Sequence, residues 1–373
     1  MPVGDGTRGM EVNLLDSGSG EWLGGTGPES DIVISSRIRL ARNLADMPFL
    51  SKASQKDRGI IEKRICEQLL KTNIASDVIY LSLPPLSTVD RQFLVERHLI
   101  SREHAYGKGQ RGVCIGAKET ISIMVNEEDH LRIQGLRSGL QVRETWEQVD
   151  DLDTRLEKVL EYAFSPQFGY LTVCPTNVGT GMRVSVMLHL PALVMTRQID
   201  KVFQAVQKIS LAVRGLYGEG TQASGDFYQI SNQGTLGKTE RDILQNIERV
   251  IPKIIEFERT VREGLLKDKR EVIEDKVWRA YGMLQTARTI NSEETMDLLS
   301  AVRMGVNLKI IRDVEISTVN ELFIFTQPAH LQKMERAELN GPERDVMRAT
   351  FIRNRLSGKN SRGDGNGGTK RPA

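Results

Sequence analysis

The sequence predicts an α+β fold: an antiparallel sheet flanked by helices, followed by an all-α C-terminal domain. Three observations carry this. Apolar–polar alternation comes in runs, strand after strand between 112 and 134 and again between 170 and 190, instead of alternating strictly with helices. Helical periodicity interrupts those runs only in separate blocks. After about residue 238 the alternation stops and the texture is helical to about 356.

The elements follow in order. Residues 1–30 are Gly- and Ser-rich, a flexible lead-in. "DIVISSRIRLARNL" (31–44) opens apolar, then alternates apolar residues with arginine, as a strand does. Residues 54–71 and 88–100 have helical spacing, with Ile61, Ile65 and Leu69 on one face. "GVCIGAKETISIMVNEEDHLRIQ" (112–134) reads as β-structure with a turn near Gly116–Lys118. Residues 142–163 predict one long helix. "YLTVCP" and "MRVSVMLHL" predict two strands around the Gly-rich "TNVGTG". Residues 197–213 predict a helix, and "DFYQISNQ" (226–233) a strand. The helical region opens at Thr239, a helix cap, and Pro252 marks an expected break. The composition of 357–373 predicts a disordered tail. The expected division is therefore 1–30, a 31–258 mixed domain, a 259–356 helical domain, and the tail.

With 373 residues, 39% hydrophobic and 27% charged, the chain has an ordinary globular composition. A net charge of +2 gives no case for bulk attraction to nucleic acid or membranes. No run of about 18 apolar residues predicts a membrane span, and the N-terminus lacks a signal-peptide pattern. Cys66, Cys114 and Cys174 form neither a disulfide framework nor a zinc pattern, so no metal ligands are assigned. A reducing cytoplasm is expected.

Arginine and acid placement raises the chemical question. Arg37 and Arg39 stand two apart and share a strand face. Like charges there repel, and an anion would relieve them. Arg132, Arg183 and Arg214 each suit either a solvated surface or a polyphosphate, which guanidinium forks match well. The chain has no P-loop and no protein-kinase motif set. Glu127 and Glu128, adjacent in "VNEEDHLRI", face opposite ways on a strand. They form either a solvated turn or a grip for a cation. Glu219 is a separate acid on a Gly-rich stretch. Cys174 is either a buried small hydrophobe or a reactive thiolate.

"SSRIRLARN", "VNEEDHLRI", "CPTNVGTGMR" and "RGLYGE" followed by "ISN" resemble the catalytic domain of the phosphagen (guanidino) kinases, in the same order, across roughly 31–235. The resemblance implies ATP as phosphoryl donor, with Mg²⁺ bound through the nucleotide. It implies nucleotide contacts at Ser35, Ser36, Arg37, Ile38 and Arg39; at His98 and Arg132; at Arg183, Val184, Ser185, Val186 and Met187; and at Arg214, Gly215, Leu216, Tyr217 and Gly218. Glu128 matches the catalytic carboxylate and Glu219 a second guanidinium-binding acid. Cys174 matches the reactive cysteine, and Glu127 would act through metal-bound water or by supporting the residues that touch the substrates.

No N-terminal helical domain of the classical type precedes "SSRIR", and a helical extension follows the catalytic blocks. That layout resembles the bacterial branch of the family, which phosphorylates arginine side chains of proteins. It implies marking of proteins for a Clp ATPase/protease, action on a heat-shock repressor, an activator protein (McsA type), and a homodimer through the C-terminal domain. A kinase of free arginine or another small guanidine is the alternative. "GPERDVMRA" (341–349) opens a helix, and two arginines in its first turns oppose the helix dipole and each other. Either this is a solvated basic face or it holds an anion. The match to the family's RDxxRA motif implies phosphoarginine binding at Arg344, Asp345, Arg348 and Ala349.

Overall fold

The protein is described from a computed structural model covering residues 20–71, 78–215 and 224–358. Strand β1 (Val33–Arg42) is the spine of an eight-stranded sheet. The other strands are β2 (Ile79–Ser82), β3 (Gly112–Ile115), β4 (Ile121–Val125), β5 (Leu131–Ser138), β8 (Met182–His189), β9 (Leu211–Gly215) and β10 (Phe227–Asn232). Their order is β2-β3-β4-β5-β1-β8-β10-β9, and every neighbouring pair is antiparallel. A separate ribbon joins β6 (Phe164–Ser165) to β7 (Gly169–Tyr170).

Side chains alternate along a strand, so register sorts them between faces. One face carries Ile38 and Leu40 of β1 with Ile123, Ile133, Val184, Val186 and Ile230, all buried in one core. Helices α4 (Val142–Glu157) and α7 (Glu240–Asp268) cover that face. Gly135 makes the approach of α4 possible. A Cβ there would stand 2.6 Å from Val149 Cγ2 and 2.9 Å from Thr145 Cγ2. The remaining helices of this unit are α1 (Gln55–Lys71), α2 (Thr88–Glu96), α3 (Arg102–Tyr106), α5 (Pro191–Met195) and α6 (Ile199–Gln207). Ile61, Ile65 and Leu69 of α1 are buried, as their spacing predicts.

Four local expectations are corrected. The helix from 142 stops at Glu157. The segment from 197 is not one helix: α6 ends at Gln207, Ser210 turns the chain at φ 59°, and β9 follows. "YLTVCP" contributes only Tyr170 to a strand. Its next residues spend their polar groups elsewhere, Val173 N donating to Asp129 and Leu171 O accepting from Asn43. Pro252 does not break α7. It lies on the exposed side, where water can satisfy the carbonyl one turn back. Thr239 caps α7 as expected, in a capping box with Asp242.

The chain divides into two compact units after Arg270. The second contains α8 (Arg270–Thr286), α9 (Ser292–Asn307), α10 (Ile316–Phe325), α11 (Pro328–Glu335) and α12 (Gly341–Leu356). Its core includes Ile273, Val277, Leu299, Val302, Leu322 and Ile352.

Candidate active site

The open face of the sheet gathers the arginines. Arg39 stands opposite Arg183 on β8 and opposite Gln134 on β5. Arg132 is two residues along β5 from Gln134, and Arg37 two along β1 from Arg39, so all share one face. Arg214 pairs with Gln229, which pairs with Met187, which pairs with Ser35; this row belongs to the same face. Five cations from four strands thus converge by register alone.

The cluster is under electrostatic load. Arg37 Nε donates to Gln134 Oε1 at 2.7 Å, and Arg183 Nη2 donates to Ser231 Oγ at 3.1 Å. Burial, then Arg132 and Arg183, lower the Arg37 pKa to about 10. Burial, then Arg37, Arg132 and Arg183, push Arg39 well below its usual value. Glu127 opposes both shifts. A row of guanidinia that weaken one another's hold on protons suits a polyanion such as triphosphate.

His98 lies beside this row. It sits at φ 59° after α2, its carbonyl accepts from Gln134 Nε2 at 2.8 Å, and its ring meets Trp22 edge-on. Burial and the charge of Arg37 lower its pKa to about 3, so the ring is neutral. Ser35, Ser185 and Met187 share the arginine face. Ser36, Ile38, Val184 and Val186 alternate onto the helix-covered face, where Ser36 Oγ donates to Gly139 O at 2.8 Å. Gly215 closes β9 opposite Tyr228. Leu216, Tyr217, Gly218 and Glu219 lie outside the described residues.

The acid turn joins β4 to β5. Asn126 adopts φ 60°, which Asn tolerates better than most residues. Its Nδ2 donates to Arg58 O at 2.8 Å and Gln110 O at 2.9 Å. Asp129 and His130 are fully buried. Asp129 Oδ1 accepts from Asn43 Nδ2 at 2.7 Å and from Val173 N at 2.8 Å. His130 Nδ1 accepts from Leu44 N at 3.0 Å, and His130 N donates to Asn43 Oδ1 at 2.9 Å. With both ends of the turn pinned, Glu127 and Glu128 are held between two strands.

The two acids differ. The Glu127 side chain is 2% exposed and lies 2.7 Å from Arg132 Nη1. It also accepts from Ser101 Oγ at 2.6 Å and from Glu128 N at 2.8 Å. Burial alone would raise its pKa; Arg132, the Ser101 hydroxyl and the amide outweigh burial and hold it below the usual value. The Glu128 side chain is 42% exposed and accepts from Arg132 Nη2 at 3.0 Å. Burial raises its pKa, Arg132 counters, and Asp129 and Glu127 add to the rise. The buried acid is thus the firmly ionised one, and the exposed acid binds its proton more readily.

Cys174 follows Val173, the residue anchored to Asp129. Its Sγ lies 3.0 Å from Thr176 Oγ1, and its carbonyl accepts from Thr172 Oγ1 at 2.8 Å. The Asp129 carboxylate therefore ties the acid turn to the thiol loop. Asn43, Ser101 and Gln134 organise this site, and the sequence reading passed over them. Asn43 lies inside "SSRIRLARN", Gln134 stands two residues from Arg132 on the same strand face, and Ser101 carries no spacing signal.

In the second unit, Asn340 caps α12 in a capping box with Glu343. Arg344 is partly exposed and its Nη1 donates to Leu339 O at 2.7 Å. Arg348 is 1% exposed. It donates to Thr326 O at 2.9 Å, Ile290 O at 2.8 Å and Asp345 Oδ1 at 2.5 Å. Arg344 and Asp345 border solvent, whereas Arg348 and Ala349 are buried. Among the described residues, no group of three or more His, Cys, Asp or Glu could hold a metal ion. No described helix is long and apolar enough to cross a membrane.

Comparison with known proteins bears on both units. Residues 60–261 match the model of the ATP:guanido phosphotransferase C-terminal catalytic domain. Residues 270–366 match that of the protein-arginine kinase McsB C-terminal domain. The chain is 49% identical over 340 residues to the protein-arginine kinase of Desulforamulus reducens, covering 90% of this chain and 95% of that one. It is 47% identical over 345 residues to that of Halothermothrix orenii, covering 92% and 99%. Among solved structures, lombricine kinase matches at 27% identity and TM-score 0.55, over 65% of this chain and 70% of that chain. The duplicated taurocyamine kinase of Schistosoma mansoni matches at 28% identity and TM-score 0.56, over 65% of this chain and 34% of that longer chain.

Proposed function

Because the chain belongs to the protein-arginine kinases of the guanidino phosphotransferase family, we propose how its residues divide the phosphoryl transfer from ATP to protein arginine side chains. The observation that carries the reading is the contact of an acid turn with a row of mutually repelling arginines. Such a junction can face a cationic acceptor and an anionic donor together.

Arg37, Arg39, Arg132, Arg183 and Arg214 hold the phosphates and offset the charge that builds around the γ-phosphoryl group. Mg²⁺ carried in with the nucleotide would supply further charge neutralisation at the phosphates; Glu127, ionised and paired with Arg132, would act on it through metal-bound water. Glu128 accepts N–H donors from the acceptor guanidinium and takes a proton as the N–P bond forms and the bond from Pγ to the ADP oxygen breaks. Its readier protonation fits that task. Glu219 is the second carboxylate on the guanidinium, and Cys174 lines the same end of the site. His98, neutral, meets the nucleotide. Arg344 and Asp345 offer the exposed contacts for a phosphoarginine, with Arg348 and Ala349 bracing the helix beneath.

The products mark proteins for a Clp ATPase/protease and alter a heat-shock repressor, in the cytoplasm, under an activator protein and as a homodimer through the helical domain. Incubation with ATP and either an arginine-rich protein or free arginine tests the acceptor class. Acid-labile phosphate is expected on the protein. Phosphate on free arginine alone would establish the small-guanidine alternative.

A further inference from the structure

A groove of about 490 Å³ runs between α6 and α7, on the helix-covered side of the sheet. Its floor is apolar: Val202 and Val206 on one wall, Val250, Ile254 and Phe257 on the other. Its rim is cationic. Lys201 stands on α6, and Arg249 and Lys253 stand one turn apart on α7. No acid lines the groove. Arg249 donates only to Asn246 Oδ1, at 3.0 Å, and none of the three cations has an ion pair among the described residues.

Like charges four residues apart on a helix destabilise it by a few tenths of a kcal/mol, so the rim gains from an anionic partner. The α7 wall, 249–257, spans about 12 Å, or roughly two helical turns, and the α6 wall, 201–207, about 9 Å before the turn that follows α6. Ala205 and Ile209 on the α6 side are exposed, which leaves the trough open along its length. An open trough of this length suits a helix laid into it rather than an engulfed small molecule.

We propose that this groove docks an amphipathic helix of a partner protein, with apolar side chains on the floor and acidic residues against Lys201, Arg249 and Lys253. Such a partner would leave the arginine face open, so docking and phosphoryl transfer can proceed together.

The test uses the full chain and two labelled helical peptides. Both carry leucines at i, i+4 and i+8; one has glutamates flanking the leucine stripe, the other lysines. Saturable binding of the glutamate peptide is expected, at least about tenfold tighter than the lysine peptide. The triple variant Lys201→Glu, Arg249→Glu, Lys253→Glu should reverse that preference. Ala205→Trp should abolish binding of both peptides without changing Tm or basal protein phosphorylation. Equal affinity for the two peptides, no saturable binding of either, or indifference to the triple variant would overturn the proposal. So would saturable binding of decanoate in place of the peptide, or self-association that the triple variant abolishes.

Discussion

The guanidinium of Arg132 lies 2.7 Å from the carboxylate of the buried Glu127, and this contact joins the acid turn to the arginine row. Breaking it leaves Arg132, largely desolvated beside other cations, with only the solvent-facing Glu128 as a counter-charge. Glu127→Gln should destabilise the catalytic unit by about 3 kcal/mol. Because a polyanion can replace the lost charge, saturating ADP should restore more stability to the variant than to the parent. Urea unfolding with and without ADP measures both effects.

Glu128 faces solvent beside the same arginine, and its work is chemical. Glu128→Gln should lower kcat on a protein substrate by about 10²-fold or more, while nucleotide affinity stays within about twofold. Burial raises its pKa, and the ionised form is the active one. The acid limb of kcat should therefore lie above the ordinary carboxylate value of about 4.3, with activity rising as pH rises through it. A pH–rate profile unchanged in Glu128→Asp would argue against this residue as the titrating group.

Three histidines hold neutral rings inside the catalytic unit. Burial first, and the charge of Arg37 after it, lower His98 to about 3; burial dominates in lowering His104 and His130 to about 4. Unfolding releases them to about 6.5. Below that pH the unfolded chain takes up protons that the folded chain refuses, so stability falls as pH drops from about 6.5 and levels off once each folded value is passed. Near pH 5 these three histidines together should contribute about three protons to the uptake on unfolding, so His104→Gln should take up about one proton fewer than the parent.

Much of this arrangement was legible because period-two spacing is a local property. Arg37 and Arg39 announce a shared face by themselves, and the alternation of β5 and β8 supplies Arg132 and Arg183. Arg42 shows where that reasoning stops. It alternates to the other face and forms a buried pair with Asp153 at 2.6 Å, its guanidinium 3.6 Å from the Tyr170 ring centroid. Nothing near Arg42 in sequence marks a partner 111 residues away. Tyr170–Pro175 misled for a related reason: its apolar pattern is that of a strand, but Asn43 and Asp129 take its backbone groups before a neighbouring strand can.

In the helical unit the two motif arginines should separate. Arg344→Ala should weaken binding of a phosphoarginine peptide about tenfold with little change in Tm, since the side chain loses one carbonyl contact at the surface. Arg348→Ala orphans the carbonyls of Thr326 and Ile290 inside the unit, and should cost about 3 kcal/mol or more. Calorimetry on both variants, paired with a peptide-binding isotherm, distinguishes recognition from scaffolding.

The Asn43 amide reaches Asp129 across 86 residues and Leu171 across 128. A nascent or partly refolded chain cannot shape the acid turn until those distant segments have met, because no short stretch contains the pieces. The enzyme is thus expected to stay catalytically silent through early folding and to gain activity in one late step, coincident with closure of the sheet. For a protein-arginine kinase, that timing keeps an unfinished copy from phosphorylating its own chain.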